Sequence, residues 1–285
     1  MIRPKQSSVI LTSGVVILIV LTVSLFAFRS ELYAAGAAKE IRIGGTGTAL
    51  AAMKLLGEQF RKKHPDVTIT VFPSLGSHGG IKALLAGQLD IAISYKEPTG
   101  DDQNKGLAAT KYAKTPFVFL THKTNKLSNI TLREVADIYS GKTMTWPDDT
   151  PIRLILRPAG EASTKILQLI SEDMNKAVQN SFKRKGLNIA VNDQENADLL
   201  ERLPGSFGAG GLCQIISEKR TLNILSLNGV EPSVRTLADG TYPYFKDHYI
   251  ITGPGSSPLV RQFIDFIFSS SGQSILGKTG HLTIR

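Results

Sequence analysis

Residues 41–94 alternate between strand-like and helix-like patterns, and this alternation constrains the fold more than any other feature of the sequence. Apolar residues recur every three or four positions over 50–63, which predicts an amphipathic helix. Apolar runs at 41–44, 67–71 and 89–94 predict strands that flank this helix and a second one containing Ile81 and Leu84. Strands that alternate with helices are typical of an α/β fold with a mainly parallel sheet.

The rest of the chain continues in the same way, without an internal repeat or a long linker. Apolar spacing predicts helices at 131–140, where Gly141 follows as a stop, near Ser163, and over 260–267. Short apolar runs predict further strands at 117–121, 152–156, 222–227 and 249–252. Four glycines within 204–211 predict a tight loop.

The first 37 residues carry a different signal. A basic start precedes twenty uncharged residues at 9–28, and the small-residue motif Ala35-Gly36-Ala37 follows. This pattern predicts a cleaved secretory leader at 1–37. Because twenty residues at 1.5 Å each span about 30 Å, an uncleaved membrane anchor is the alternative. Both interpretations place the remainder outside the cytoplasmic membrane, in the periplasm or its equivalent.

Composition narrows the class of function. The net charge is +9, yet no run of Lys and Arg with interleaved aromatic residues is present, and export also argues against nucleic acid as a partner. The single cysteine, Cys213, excludes an internal disulfide and is predicted to be a small buried hydrophobe. The five histidines show no metal-ligand spacing, so the sequence predicts no metal centre.

Signals for a cofactor or for catalysis are also missing. The first glycine-rich loop begins like the dinucleotide fingerprint G-x-G-x-x-G, but Leu50 stands where the third glycine belongs. The chain has no P-loop and no G-x-S-x-G motif. Ser77 and His78 are adjacent, and adjacent loop side chains rarely face each other as nucleophile and base. The sequence therefore predicts a protein that is not an enzyme and has no cofactor.

Three predicted strand-to-helix loops, at 45–48, 76–80 and 157–164, combine glycine or alanine with Ser or Thr. The N-terminus of a helix leaves backbone N–H groups free for an anion, and nearby hydroxyls add donors. Arg157 adds one bidentate contact to the third loop. Each loop alone is equally explained as a helix cap or a turn. Together, the three loops predict a site for a small oxyanion.

Seven stretches, in order along the chain, resemble the phosphate-binding proteins of Pst-type ABC importers, within the type II periplasmic binding fold. They lie at 44–49, 76–94, 130–146, 157–164, 204–212, 225–233 and 263–276, and the resemblance covers about 41–284. It implies two lobes, each a mixed, mainly parallel sheet flanked by helices, with the ligand between them. Lobe one comprises 39–115 plus 245–285, lobe two comprises 116–244, and crossings are expected near 115–121 and 244–250.

The resemblance also implies a function. It indicates an exported, monomeric binding protein that captures a small oxyanion, phosphate first, for an ABC permease in the membrane. Alternatives within the class are another oxyanion such as molybdate, tungstate or sulfate, or a small organic acid. The alternative from another class is a membrane-anchored sensor or interaction domain with the same fold.

The loops and the resemblance together predict a set of ligand-binding residues. Four lie at the first loop, three at or after the second loop and its following strand, and three at the arginine loop. They are Thr46, Thr48, Ala49, Leu50, Ser77, His78, Tyr95, Arg157, Glu161 and Ser163.

Two of these positions depart from the family pattern. Tyr95 stands where the phosphate binders place an acid that accepts the proton of hydrogen phosphate, and Glu161-Ala162 replaces Ser-Gly. A tyrosine donates but is no charged acceptor at neutral pH. An anionic Glu161 repels a doubly charged anion unless it accepts a proton from it. We therefore hypothesise that Glu161 takes over the acceptor role and selects hydrogen phosphate or arsenate over sulfate. The alternative is that Glu161 is a solvent-facing acid at a helix start.

Overall fold

The computed structural model describes residues 39–284, so the predicted leader or anchor at 1–37 lies outside the described residues. Within the described part, no helix is both long enough and apolar enough to cross a bilayer.

The strands are β1 (Lys39–Gly45), β2 (Val67–Val71), β3 (Ile91–Ser94), β4 (Ala108–His122), β5 (Asn129–Ile130), β6 (Arg153–Leu156), β7 (Asn188–Ile189), β8 (Ser206–Gly211), β9 (Leu222–Leu227), β10 (Phe245–Thr252) and β11 (Leu282–Thr283). The helices are α1 (Gly47–Arg61), α2 (Gly76–Leu85), α3 (Leu132–Ser140), α4 (Ala162–Ile170), α5 (Glu172–Ser181), α6 (Asp193–Arg202), α7 (Leu212–Ser217), α8 (Val234–Ala238), α9 (Pro258–Phe268) and α10 (Ser270–Lys278), with a 3-10 helix at Gly100–Lys105.

The strands form a mixed sheet whose main path runs in the order β2-β1-β3-β10-β4-β8-β6-β7. Parallel pairing joins β1 to β3, β5 to β9, and β6 to both β7 and β8. Strand β4 pairs antiparallel with β8, β9, β10 and β11. Strand β10 also pairs antiparallel with β3. The predicted α/β class, a mixed sheet flanked by helices, is confirmed.

Two large hydrophobic clusters lie on different stretches of the chain. One contains Ile41, Met53 and Phe263 and packs α1 and α9 against β1. The other contains Phe119 and Phe207, whose rings stack with centroids 5.9 Å apart. Residues from Glu40 onward form a single compact unit. The predicted lobe boundaries at 115/116 and 244/245 fall within β4 and just before β10, and they stay a prediction.

Local sequence explains where several elements begin and end. Thr131 begins α3 as a capping box, because its hydroxyl accepts from the Glu134 N–H while the Glu134 carboxylate accepts from the Thr131 N–H. Gly141 follows this helix with φ +84°, so the predicted stop is confirmed. The bounds predicted for β2 and β9 are also confirmed.

The tight loop predicted over 204–211 is wrong. Ser206–Gly211 is the buried strand β8, which lies in the sheet between β4 and β6. Its glycines serve close packing, since a Cβ on Gly211 would overlap the Cγ2 methyl of Thr48. Glycine is needed here because the start of α1 approaches the strand too closely for a side chain.

Gly45 ends β1 in a conformation that only glycine adopts without strain. Its φ is +128°, and a Cβ there would overlap the carbonyl oxygen of Ile93 on the neighbouring strand. We expect Gly45→Ala to lower the free energy of unfolding by at least about 2 kcal/mol, measured by urea denaturation. The control is Gly253→Ala, whose Cβ would meet no described atom within 4 Å. Equal stabilities of the two variants would contradict this explanation.

Candidate functional site

The starts of the helices differ in how their backbone N–H groups are satisfied. In six of the described helices, the N-cap side chain accepts a hydrogen bond from the first turn, and these caps are Thr131, Ser171, Asn192, Ser233, Ser257 and Ser269. The helices α1, α2, α4 and α7 have no such cap. Because the N–H groups of a first turn need acceptors from outside the helix, these four starts depend on other groups.

Two of the four starts use a side chain from a distant part of the sequence. The Asp193 carboxylate accepts from the Thr48 N–H at 3.2 Å and from the Thr46 hydroxyl at 3.5 Å, at the start of α1. The Thr115 hydroxyl accepts from the Cys213 N–H at 3.0 Å, at the start of α7. The remaining two starts, those of α2 and α4, receive no such bond from a distant part of the described chain; at α2, the nearby Ser74 hydroxyl accepts from the Gly76 N–H at 3.5 Å.

The starts of α2 and α4 open onto one cleft with a volume of about 420 Å³. The cleft is lined by Ser77, His78, Ile81, Tyr95, Lys96, Glu97, Pro98, Thr99, Asp102, Pro158, Gly160, Glu161 and Ala162. The N-cap residues are Leu75 and Glu161, and neither caps its helix with its side chain. Two helix N-termini that face one cleft form a favourable environment for an anion.

The second predicted loop, at 76–80, is not a loop. These residues form the first half of α2, which Gly76 begins with φ +65°. Ser77 is buried, and its hydroxyl accepts from the Tyr95 N–H at 3.1 Å, so it fixes the residue that follows β3. His78 is exposed at the cleft. Because α2 begins at Gly76 and not after residue 80, its N-terminus lies at the cleft.

Arg157 follows β6 and is almost completely buried. Its Nη1 donates to the carbonyl of Ala190 at 2.5 Å, and its Nη2 donates to the Glu161 carboxylate at 3.2 Å. Its Nη2 also lies 3.7 Å from the Asp193 carboxylate. Its Nε has no hydrogen-bond partner among the described residues. Arg157 thus contacts Glu161, which lines the cleft, and keeps one buried donor without a partner among the described residues.

Asp193 and Lys246 form a buried charge cluster with Arg157 that sequence reasoning missed. The Asp193 carboxylate lies 3.7 Å from the Lys246 ammonium, which also donates to the Thr48 hydroxyl at 3.4 Å. Burial alone would raise the pKa of Asp193, but attraction to Lys246 and Arg157 outweighs it and holds this pKa below its usual value. Burial lowers the pKa of Lys246, opposed by the attraction of Asp193.

Nothing in the local pattern around Asp193 or Lys246 marks either residue as part of the site. Asp193 is an acid in the first turn of α6, and Lys246 is one residue of strand β10. Their charges meet only because the sheet order brings β10 beside β3 and β4. Both side chains are buried in the fold, which their local sequence does not predict.

The ten predicted residues do not all meet at one point. Ser77, His78, Tyr95 and Glu161 line the cleft, and Arg157 adjoins it through Glu161. Elsewhere, Thr46 and Thr48 contact Asp193, and Ala49 is fully buried. Leu50 lines a different cavity of about 770 Å³, and Ser163 lies with Arg157 along a void of about 10 Å³.

The charges on the cleft wall are mixed. Glu97, Asp102 and Glu161 line it together with Lys96, whose ammonium lies 5.8 Å from the centre of the Tyr95 ring. Burial raises the pKa of Tyr95, and the nearby Glu161 carboxylate raises it further. The Tyr95 hydroxyl therefore stays protonated and acts as a donor. Because three carboxylates line this cleft, a fully ionised anion would meet more repulsion there than an anion that carries a proton.

Comparisons with known proteins address the family. Residues 33–271 match a family model described as PBP superfamily domain. The phosphate-binding protein PstS of Borreliella burgdorferi is 27% identical over 256 residues, which cover 87% of this chain and 91% of the relative. Protein SphX of Synechococcus elongatus is 26% identical over 259 residues, which cover 80% of this chain and 73% of the relative.

A solved structure supports the fold. A phosphate ABC transporter substrate-binding protein of Clostridium perfringens, with bound phosphate, has a TM-score of 0.73 to this chain. It is 23% identical, and the likeness covers 87% of this chain and 100% of that one. The predicted periplasmic-binding-protein fold is thereby confirmed.

Proposed function

Because the chain belongs to the PBP superfamily, we propose that it is an extracytoplasmic solute-binding protein that captures phosphate and passes it to an ABC permease. The observation that carries this proposal is the cleft on which α2 and α4 both begin without a side-chain cap. The names of the relatives, phosphate-binding protein among them, support phosphate as the ligand. The same relatives support binding without catalysis.

The chemistry of the cleft suits a small tetrahedral oxyanion. Backbone N–H groups at two helix starts and the positive ends of two helix dipoles favour an anion. Arg157 adds a charge-assisted donor, and Tyr95 adds a protonated hydroxyl. These donors come from distant parts of the chain, so they can close on a ligand by a hinge motion of the two predicted lobes.

Glu161 is the acid best placed to accept a proton from the ligand. Its Oε2 accepts from Arg157, while its Oε1 lies 3.5 Å from the point where a Cβ on Gly76 would stand. Glu161 therefore lies between the two helix starts. Asp193 is less suited to this role because Thr46, Thr48, Arg157 and Lys246 already surround its carboxylate.

Titration calorimetry of the purified protein, unfolded and refolded to remove bound ligand, tests the proposed function. We expect phosphate to bind with a Kd of about 1 μM or tighter, which corresponds to about 8 kcal/mol. We expect sulfate to bind too weakly to give heat at the same concentration, so its Kd is measured at a higher sulfate concentration. Binding of molybdate, tungstate or a small organic acid instead of phosphate would show that phosphate is not the ligand. Absence of heat with all of these anions would favour the sensor or interaction role.

Glu161→Gln is expected to reduce the preference for phosphate over sulfate. A glutamine oxygen accepts the hydrogen bond of hydrogen phosphate only as a neutral group, and it no longer repels a fully ionised anion. We expect the ratio of sulfate Kd to phosphate Kd to fall by about tenfold or more, equivalent to one charge-assisted hydrogen bond. The ratio is measured by titrating each variant with both anions.

The matched control is Glu97→Gln, which removes a carboxylate from the same cleft at a position where no contact with Arg157 exists. We expect this variant to keep the wild-type ratio. An unchanged ratio in Glu161→Gln would exclude the acceptor role and leave Glu161 as an acid at a helix start.

A further inference from the structure

Three side chains that bind metals in other proteins meet in the interior, away from the oxyanion cleft. Cys213 lies in the first turn of α7, His248 lies in β10, and His281 precedes β11. The Cys213 sulfur and one ring nitrogen of each histidine all lie within 4.8 Å of one another. All three residues are at most 1% exposed.

The polar atoms of this cluster lack partners. Both ring nitrogens of His248 and the Nε2 of His281 are buried without a hydrogen bond from any described residue. The hydroxyl of Tyr112 is also fully buried and has no hydrogen-bond partner among the described residues. Leaving so many buried polar atoms unpaired is costly, and native proteins avoid it unless a ligand or another group satisfies them.

The surrounding contacts hold the three side chains in place. The Thr279 hydroxyl lies 3.1 Å from Nδ1 of His281, which orients this ring and leaves Nε2 for the cluster. The Thr115 hydroxyl accepts from the Cys213 N–H at 3.0 Å and donates to the Gly280 carbonyl at 2.9 Å. One threonine thus ties the start of α7 to the residue before His281.

A break in strand pairing places the Tyr112 ring beside the two histidines of the cluster. His248 pairs with Ala113, but Tyr249 pairs with Lys111, so Tyr112 is the extra residue of an irregularity between β4 and β10. Bulges of this kind redirect side chains next to functional sites. The Tyr112 ring stacks on His248 with centroids 6.0 Å apart.

From this geometry we propose that Cys213, His248 and His281 bind one zinc-like divalent cation, with the Tyr112 hydroxyl or a water as fourth ligand. One thiolate and two neutral imidazoles are a donor set that zinc prefers. Bonds of about 2.0–2.3 Å set tetrahedral ligand atoms roughly 3.3–3.6 Å apart. The three atoms all lie within 4.8 Å of one another, so a pair at that limit reaches this spacing when its separation shortens by roughly 1.2–1.5 Å.

Binding exchanges a proton for the cation, because zinc binds the thiolate form of cysteine and the neutral form of imidazole. On binding, a sulfur–metal bond forms, the S–H bond breaks, and the proton passes to the buffer. The Cys213 sulfur, which lies 3.2 Å from the Thr48 carbonyl, then no longer donates to it.

Titration of the purified protein with Co²⁺, followed by displacement with Zn²⁺, tests the site. Because Cys213 is the only cysteine of the chain, a thiolate-to-cobalt charge-transfer band reports this side chain alone. We expect the band to saturate at one Co²⁺ per chain and to vanish when Zn²⁺ is added. Absence of the band in the wild-type protein would overturn the proposal without any variant.

Variants separate a three-ligand site from binding by the thiol alone. We expect Cys213→Ser to abolish the band and His248→Gln to weaken binding more than the roughly 10–100-fold expected for loss of an outer contact. Thr279→Val, which removes the contact to Nδ1 of His281 together with the hydroxyl's bonds to the Ile275 and Leu276 carbonyls, should weaken it by about 10–100-fold. The control is His64→Gln, because His64 stacks on Phe60 far from the cluster in the sequence. A band that persists unchanged in folded His248→Gln would overturn the proposal.

Discussion

Arg157→Met is expected to weaken phosphate binding by about 10–100-fold, because one hydrogen bond to a charged group contributes about 1.5–3 kcal/mol. Arg157 is held by the Ala190 carbonyl and by Glu161, and its Nε has no partner among the described residues. It is therefore positioned before the ligand arrives, so binding need not order a long side chain. Methionine keeps similar bulk but has no donor.

Arg157→Lys makes the comparison sharper. Lysine keeps the charge but loses the planar fork, so we expect it to recover only part of the lost affinity. The control is Arg153→Met, four residues earlier on strand β6, where the exposed guanidinium donates to the Pro204 carbonyl. Calorimetry should give this control a wild-type Kd. Wild-type affinity in Arg157→Met would mean that the cleft beside α2 and α4 is not the phosphate site.

Asp193→Asn is expected to lower the free energy of unfolding by about 3–5 kcal/mol in phosphate-free buffer, the usual cost of breaking a buried ion pair from one side. The carboxylate lies 3.7 Å from both Arg157 and Lys246, and asparagine leaves Lys246 beside a neutral neighbour and Arg157 with Glu161 alone. It also weakens the acceptor for the Thr48 N–H at the start of α1. Urea denaturation near neutral pH measures the loss.

The stabilising effect of Asp193 depends on pH with a definite sign. Its pKa is held below the usual value in the folded protein. The stabilisation is therefore fully present above the unfolded pKa of about 3.9 and is lost as the pH falls below it, through the folded pKa. We expect the stability difference between wild type and Asp193→Asn to be constant near neutral pH and to shrink in acid.

Asp198→Asn is the matched control, since it makes the same change on the same helix. Asp198 is 60% exposed and pairs with Arg220 at the surface. We expect a loss within about 1 kcal/mol, as for other exposed ion pairs. Similar losses in the two variants would contradict the assignment of Asp193 as a buried counter-ion.

Elements with a clear local pattern were predictable from the sequence. Val67–Val71 and Leu222–Leu227 were delimited correctly because their apolar runs are bounded by polar or turn residues. The cap at Gly141 was predictable because it depends on one glycine after a periodic segment. Ser206–Gly211 was predicted wrongly because its glycines respond to a neighbouring helix, which a local pattern does not contain.

The site was predictable only in part. Tyr95 and Glu161 were found because they stand at positions that a family pattern marks, and both line the cleft. Asp193 and Lys246 were missed because their pairing depends on tertiary contacts between residues 53 positions apart. The same reason explains the expectation of no metal centre: Cys213, His248 and His281 have no ligand spacing in the sequence and meet only through β4 and β10.

A crystal structure of the protein grown with arsenate tests the central claim most directly, because the anomalous scattering of arsenic locates the anion independently of any model of the cleft. We predict one arsenate between the starts of α2 and α4, bonded to N–H groups of both helices, to Arg157 and to Glu161. An arsenate bound elsewhere, for example in the cavity lined by Leu50, Lys54 and Arg220, with none between the two helix starts, would contradict the account.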